Sequence, residues 1–196
     1  MAQVEGSQVV STLAAQLSCF GAGLPRRGSA GCQTEGVAES VRLADLRRVL
    51  TAFERLGVRY VLVGSMAMAA HGVARATEYV DFFVSPDEEN VRRLRQALYE
   101  AYGDESVYEI SSEDLAGAYP VVRYGPPDPE TLTIDLIGRL GDAFSFEDIE
   151  AGPVDVGDLT VRVATLRMLY VMKRDTVRPQ DRADAQILRD TFGLED

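Results

Sequence analysis

The chain has 196 residues, 46% hydrophobic and 26% charged, which suits one globular domain of moderate size. Its net charge of −11 disfavours indiscriminate binding to nucleic acid, because the mean field repels phosphates, and leaves room for a local basic groove. No apolar run approaches the roughly 18 residues of a membrane span, and Glu5 in place of a basic leader argues against a secretory signal, so a cytoplasmic protein is expected.

Residues 1–38 are rich in small residues and lack periodicity, which predicts a flexible leader, with a short helix conceivable over 8–19. Cys19 and Cys32 lie in this segment without the spacing of a disulfide framework or a zinc site. Order is expected from near Ser40, with a single domain over 39–196: a core over 39–137, then a hairpin and helices over 138–196. Leu46, Val49, Leu50, Phe53 and Leu56 have helical spacing, closed by Gly57.

VRYVLVG, residues 58–64, reads as a buried strand, and SMAMAAHG as a short helix closed by Gly72. EYVDFFV, 78–84, is a second strand. Ser85 with Pro86 and Glu88 reads as the capping box of a helix whose apolar face is Val91, Leu94, Leu98 and Tyr102. VVRYG is a short strand and TLTIDLI, 131–137, a core strand. AGPVDVGDLTVRV reads as a hairpin turning at Gly157, followed by helices near Leu166–Arg174 and from Pro179. This alternation predicts an α/β (α+β) fold, a mixed sheet flanked by helices.

Three features can carry chemistry. Gly64-Ser65, between a strand and a helix, can turn backbone N–H groups toward a phosphate, although Gly-Ser is also a common helix cap. Asp81 and Asp135 each interrupt an apolar strand, where an unpaired charge costs several kcal/mol on the order given by transfer data. Either alone is most simply a strand end meeting solvent; two acids converging from neighbouring strands suit a cation such as Mg²⁺. By strand parity Asp81 shares its face with Tyr79, and Asp135 with Thr133. Lys173 is the only lysine beside 19 arginines, and Arg174, Arg178, Asp181, Arg182 and Asp184 surround it. A solvated charged helix explains that cluster as well as a phosphate-neutralising one does.

Taken together, YVLVGSMAMAAHGVARATEYVDFFV, TIDLI and LYVMKRDTVRPQDRADAQIL resemble the nucleotidyltransferase superfamily, nearest its AbiEii-type, toxin-like branch, over about residues 43–190. Gly64-Ser65, His71-Gly72, Arg75-Ala76-Thr77, Asp81, Asp135, Lys173 and Arg178-Pro179-Gln180-Asp181 occupy the places of that family's motifs. The resemblance implies a nucleotidyltransferase-like sheet, a nucleoside triphosphate as substrate and a two-Mg²⁺ site. It implies phosphate binding by Gly64, Ser65, Lys173 and Arg178, metal ligation by Asp81 and Asp135, and catalytic roles for Asp81, Asp135 and Lys173, with Asp135 orienting or deprotonating the attacking hydroxyl. It also implies a hydroxyl acceptor on tRNA or protein, and a cognate antitoxin. His71 fits a helix-end or packing role better than that of a base, and Arg75 suits a carboxylate or a phosphate partner.

One position breaks the pattern. Tyr79 stands where the family has the first acid of its Asp-x-Asp pair. A phenol with an unperturbed pKa of about 10 offers Mg²⁺ a poor ligand. Glu78 points to the opposite face and cannot replace it. The expected result is a weakened metal site and a low-activity or inactive chain, either an impaired transferase or a non-catalytic nucleotide-binding pseudoenzyme; separately, the acidic net charge leaves open a small-molecule transferase acting on a cationic, aminoglycoside-like substrate. A basic groove along Arg92, Arg93 and Arg95, or around Arg174–Arg182, would favour RNA; a solvated helix face accounts for those arginines equally well.

Overall fold

The computed structural model describes residues 34–73, 77, 79–129, 131–156 and 159–195, with side chains from residue 44. The expected helix over 8–19, Cys19, Cys32, Arg75, Glu78 and the turn at Gly157 lie outside the described residues. In chain order the elements are α1 (Thr34–Leu56), β1 (Tyr60–Val63), α2 (Gly64–Ala70), β2 (Tyr79–Val84), α3 (Glu88–Tyr102), α4 (Ser112–Ala116), β3 (Val121–Tyr124), β4 (Thr133–Ile137), β5 (Ala151–Val156), β6 (Leu159–Ala164), α5 (Leu166–Arg174) and α6 (Pro179–Phe192). The six strands form one mixed sheet, ordered β3-β4-β2-β1-β6-β5, and this α/β architecture is consistent with a nucleotidyltransferase-like fold.

The strand order follows from the residues. β1, YVLV, and most of β2, YVDFFV, are buried, and they take the central positions, antiparallel to each other. β5 alternates half-buried and exposed residues and carries Pro153, whose missing N–H an edge strand tolerates. α1 packs on α3, and α5 on α6. Phe53 of α1, Tyr60 of β1 and Phe82 of β2 meet with ring centroids 5.1 to 5.6 Å apart, pinning α1 to the sheet. The Tyr60 hydroxyl donates to Glu54 at 2.7 Å, so burying this ring strands no polar atom.

Two local expectations are corrected. α1 begins at Thr34, ahead of the boundary near Ser40. Once its last turns are packed, extending a helix backwards adds a hydrogen bond per residue, and Gly36 costs only about 1 kcal/mol. The cap of α3 is Asp87, not Ser85: the Asp87 carboxylate accepts the Asn90 N–H at 2.8 Å. Ser85 is buried and donates its hydroxyl to Asp87 at 2.6 Å. A carboxylate has more acceptor sites than a hydroxyl and a charge that the helix N-terminus favours, so the later residue wins.

Candidate active site

The site is a row of paired residues crossing the sheet. β2 and β4 run parallel in a register that sets Asp81 beside Asp135 and Tyr79 beside Thr133. On the far side of β4, Arg123 of β3 pairs with Asp135; on the far side of β2, Val63 of β1 pairs with Asp81. Directly paired residues share a face, so Arg123, Asp135, Asp81 and the chain entering Gly64 form one line.

Gly64 closes that line. Its φ is +66°, in the left-handed region that glycine tolerates best. A Cβ built on it would overlap the Asp81 carboxylate. Backbone conformation and close approach therefore both demand glycine here. Ser65 follows it, half-buried in the first turn of α2.

The two acids have different company. Asp135 is 8% exposed and is held in a fork by Arg123, Nε to Oδ1 at 2.8 Å and Nη2 to Oδ2 at 2.9 Å. That bond raises the Arg123 pKa above its already high value. Asp81 receives no hydrogen bond from the described residues. Burial, then the charge of Asp135, pushes its pKa up to about 6; Lys173 and Arg123 oppose the rise and Asp181 adds to it.

The Arg123 guanidinium also lies over the Tyr79 ring, 4.3 Å from its centroid. Tyr79 thus faces the acid row as expected, but as a platform for a cation. Arg123 escaped the sequence reading. Its signal was a charge alternating with Val122 and Tyr124 in VVRYG, and only the β3–β4 register connects it to Asp135.

Lys173 lies close enough to influence Asp81, but its ammonium is committed. It donates to Asp181 and Asp184, each at 2.9 Å, with its side chain 12% exposed. Burial opposes the charge; these two bonds outweigh it and raise the pKa. Arg178, the last candidate phosphate ligand, is exposed at the N-cap of α6 and is not drawn into the row by any bond among the described residues. His71 ends α2, and its Nε2–H donates to the Ala164 carbonyl of β6 at 2.8 Å. Burial lowers its pKa, so the ring is a neutral structural tie. Arg92 and Arg93 pair with Glu89 on the exposed face of α3, and Arg95 donates to the Ile110 carbonyl. They read as a solvated face rather than an RNA groove.

The family that matches residues 42–192 is described as nucleotidyl transferase of unknown function (DUF2204). The chain belongs to this family. Its match spans the strands that build the row, β1 through β4, and runs on through α6, and it supports nucleotidyl transfer as the general chemistry. No curated protein matches the chain. Among the described residues no helix is long and apolar enough to cross a membrane.

The two-Mg²⁺ arrangement that such transferases imply needs several converging acids. Among the described residues no three His, Cys, Asp or Glu side chains converge as metal ligands. Asp81 and Asp135 are side by side, but Arg123 holds both oxygens of Asp135, and a phenol fills the third place. The residues present do not complete a two-ion site.

Proposed function

We propose that this family member binds a nucleoside triphosphate at the row formed by Gly64-Ser65, Asp81 and Asp135. Its transfer of a nucleoside monophosphate to a hydroxyl acceptor, on tRNA or on a protein, is strongly impaired by Tyr79. One observation carries the reading: the register that sets Asp81 beside Asp135, with Gly64 packed directly on the Asp81 carboxylate. A family of nucleotidyl transferases supplies the reaction class.

Within such a reaction the two acids divide the work by their surroundings. Asp135 has both oxygens engaged by Arg123 and serves to fix that guanidinium. The Asp81 carboxylate, with a pKa of about 6 and no donor upon it among the described residues, is the better proton acceptor for an attacking hydroxyl near neutral pH. Asp135 is less favourable in that role, because each of its oxygens accepts a bond from Arg123. Mg²⁺ and an AbiEii-type partnership with an antitoxin belong to this proposal. An ion at the row would have to draw Asp135 away from Arg123.

The test is to incubate the protein and a Tyr79→Asp version with labelled nucleoside triphosphates, Mg²⁺ and total RNA or protein. Labelling by the Tyr79→Asp form, with at least a hundredfold less by the parent chain, is expected. If neither form labels an acceptor or binds a nucleotide, the proposal fails. A second reading, a non-catalytic nucleotide-binding partner, is favoured by the guanidinium seated on Tyr79. Nucleotide binding by the parent chain without transfer would select it.

A further inference from the structure

We propose that Arg123 is the resident counter-cation of Asp135: its fork takes the carboxylate that a divalent ion at the row would need, and it receives the phosphate of the incoming ligand. This deepens the nucleotide-binding reading and rests on it for the ligand class.

The geometry supports three steps. First, the guanidinium is fixed in position and in plane. The two-point fork to Asp135 sets two of its N–H directions and with them its plane, and the Tyr79 ring supports it from 4.3 Å. Lysine, a point charge, could satisfy neither constraint as well. Second, the fork occupies the carboxylate that a bridging ion would share with Asp81. Asp81 and Asp135 are register partners, and Arg123 is the register partner of Asp135 on the next strand. A divalent ion ligated by Asp135 would have to break the fork and approach a positive charge. The replacement of the expected acid by Tyr79 is then coherent: a carboxylate there would recruit an ion, whereas an aromatic face recruits a guanidinium.

Third, the guanidinium has capacity to spare. Arginine carries five N–H donors, and the fork uses two. The other three have no partner among the described residues, and the side chain is 58% exposed. A phosphate-bearing anion is the ligand class that a planar, solvent-facing guanidinium accepts best.

The experiment uses the full chain and two probes: Mn²⁺ alone, followed by the loss of its free spectroscopic signal, and inorganic tripolyphosphate in the presence of a chelator, followed by calorimetry. The variant is Arg123→Gln, with thermal melts to verify folding. Its edge-strand, solvent-facing position makes folding tolerant. Expected results are Mn²⁺ affinity at least tenfold tighter than in the parent chain and tripolyphosphate affinity at least tenfold weaker. Arg123→Lys, which keeps charge but neither fork nor plane, should fall between them. Unchanged Mn²⁺ affinity in Arg123→Gln, unchanged tripolyphosphate affinity in it, or parent-like behaviour of Arg123→Lys overturns the inference. Failure of every nucleoside triphosphate to bind, with the Mn²⁺ and tripolyphosphate results as expected, removes only the nucleotide reading. Nucleotide binding with Mn²⁺ affinity indifferent to Arg123 removes only this one.

Discussion

Lys173 with Asp181 and Asp184 between α5 and α6, and Arg123 with Asp135 and Asp81 on the sheet, each set one cation against two carboxylates. Both carry a formal charge of −1, yet they differ in how the cation is shared. Lys173 donates to both of its acids at 2.9 Å, and the cluster is largely sealed from water. Arg123 gives two bonds to Asp135 and none to Asp81, and it faces solvent. The first cluster is a staple whose charges are met. Among the described residues the second gives one acid no donor, so its charge is held against its surroundings, which is the condition of a group kept for function rather than stability.

The largest effect should come from breaking the staple. Lys173→Met leaves Asp181 and the buried Asp184 without their ammonium and is expected to cost about 3–5 kcal/mol in chemical denaturation. If stability barely moved while triphosphate binding collapsed, Lys173 would be a phosphate ligand after all. Next, Gly64→Ala places a Cβ against Asp81 at a positive φ, with an expected loss of about 2 kcal/mol or more. A neutral result would mean that the turn relaxes and that its contact with Asp81 is incidental.

Asp81→Asn should move stability the other way. As pH rises from about 4, the unfolded chain loses this proton first, whereas the folded chain holds it until about pH 6. The ionised carboxylate therefore lowers stability progressively across that window, and the loss persists above it. In chelator-containing buffer at pH 7.5, Asp81→Asn is expected to gain on the order of 1–2 kcal/mol, after allowance for partial solvent access, and to gain almost nothing at pH 4. Equal effects at both pH values would show that Asp81 is not held against its charge. The smallest change belongs to the stacking platform. Tyr79→Leu removes the aromatic face under Arg123, at about 0.5–1 kcal/mol, whereas Tyr79→Phe retains it and should differ little from the parent in thermal melts.

Much of the scaffold was legible because its signals are local. The apolar runs of β1, β2 and β4, the start of α6 at Pro179 and the extent of α5 all follow from residues within one turn or one strand of each other. The cap of α3 was misassigned because Ser85 and Asp87 are both good local caps. Only the burial of Ser85 and its bond to Asp87 decide between them. The convergence of Asp81 and Asp135 was inferred from two charges breaking two buried strands, and the parallel register agrees with it.

The sequence by itself determined most of the elements, though not α4, and the family, the pair of acids and the misfit at Tyr79, because hydrophobic period, capping chemistry and motif order are written along the chain. Only the tertiary structure decided which cation each acid meets. That choice depends on strand order and register across β3, β4 and β2 and on the packing of α5 against α6, both set by burial of the whole sheet. An arginine 12 residues from Asp135 in sequence becomes its fork, while the lone lysine, expected at the phosphates, is held by Asp181 and Asp184 on the next helix.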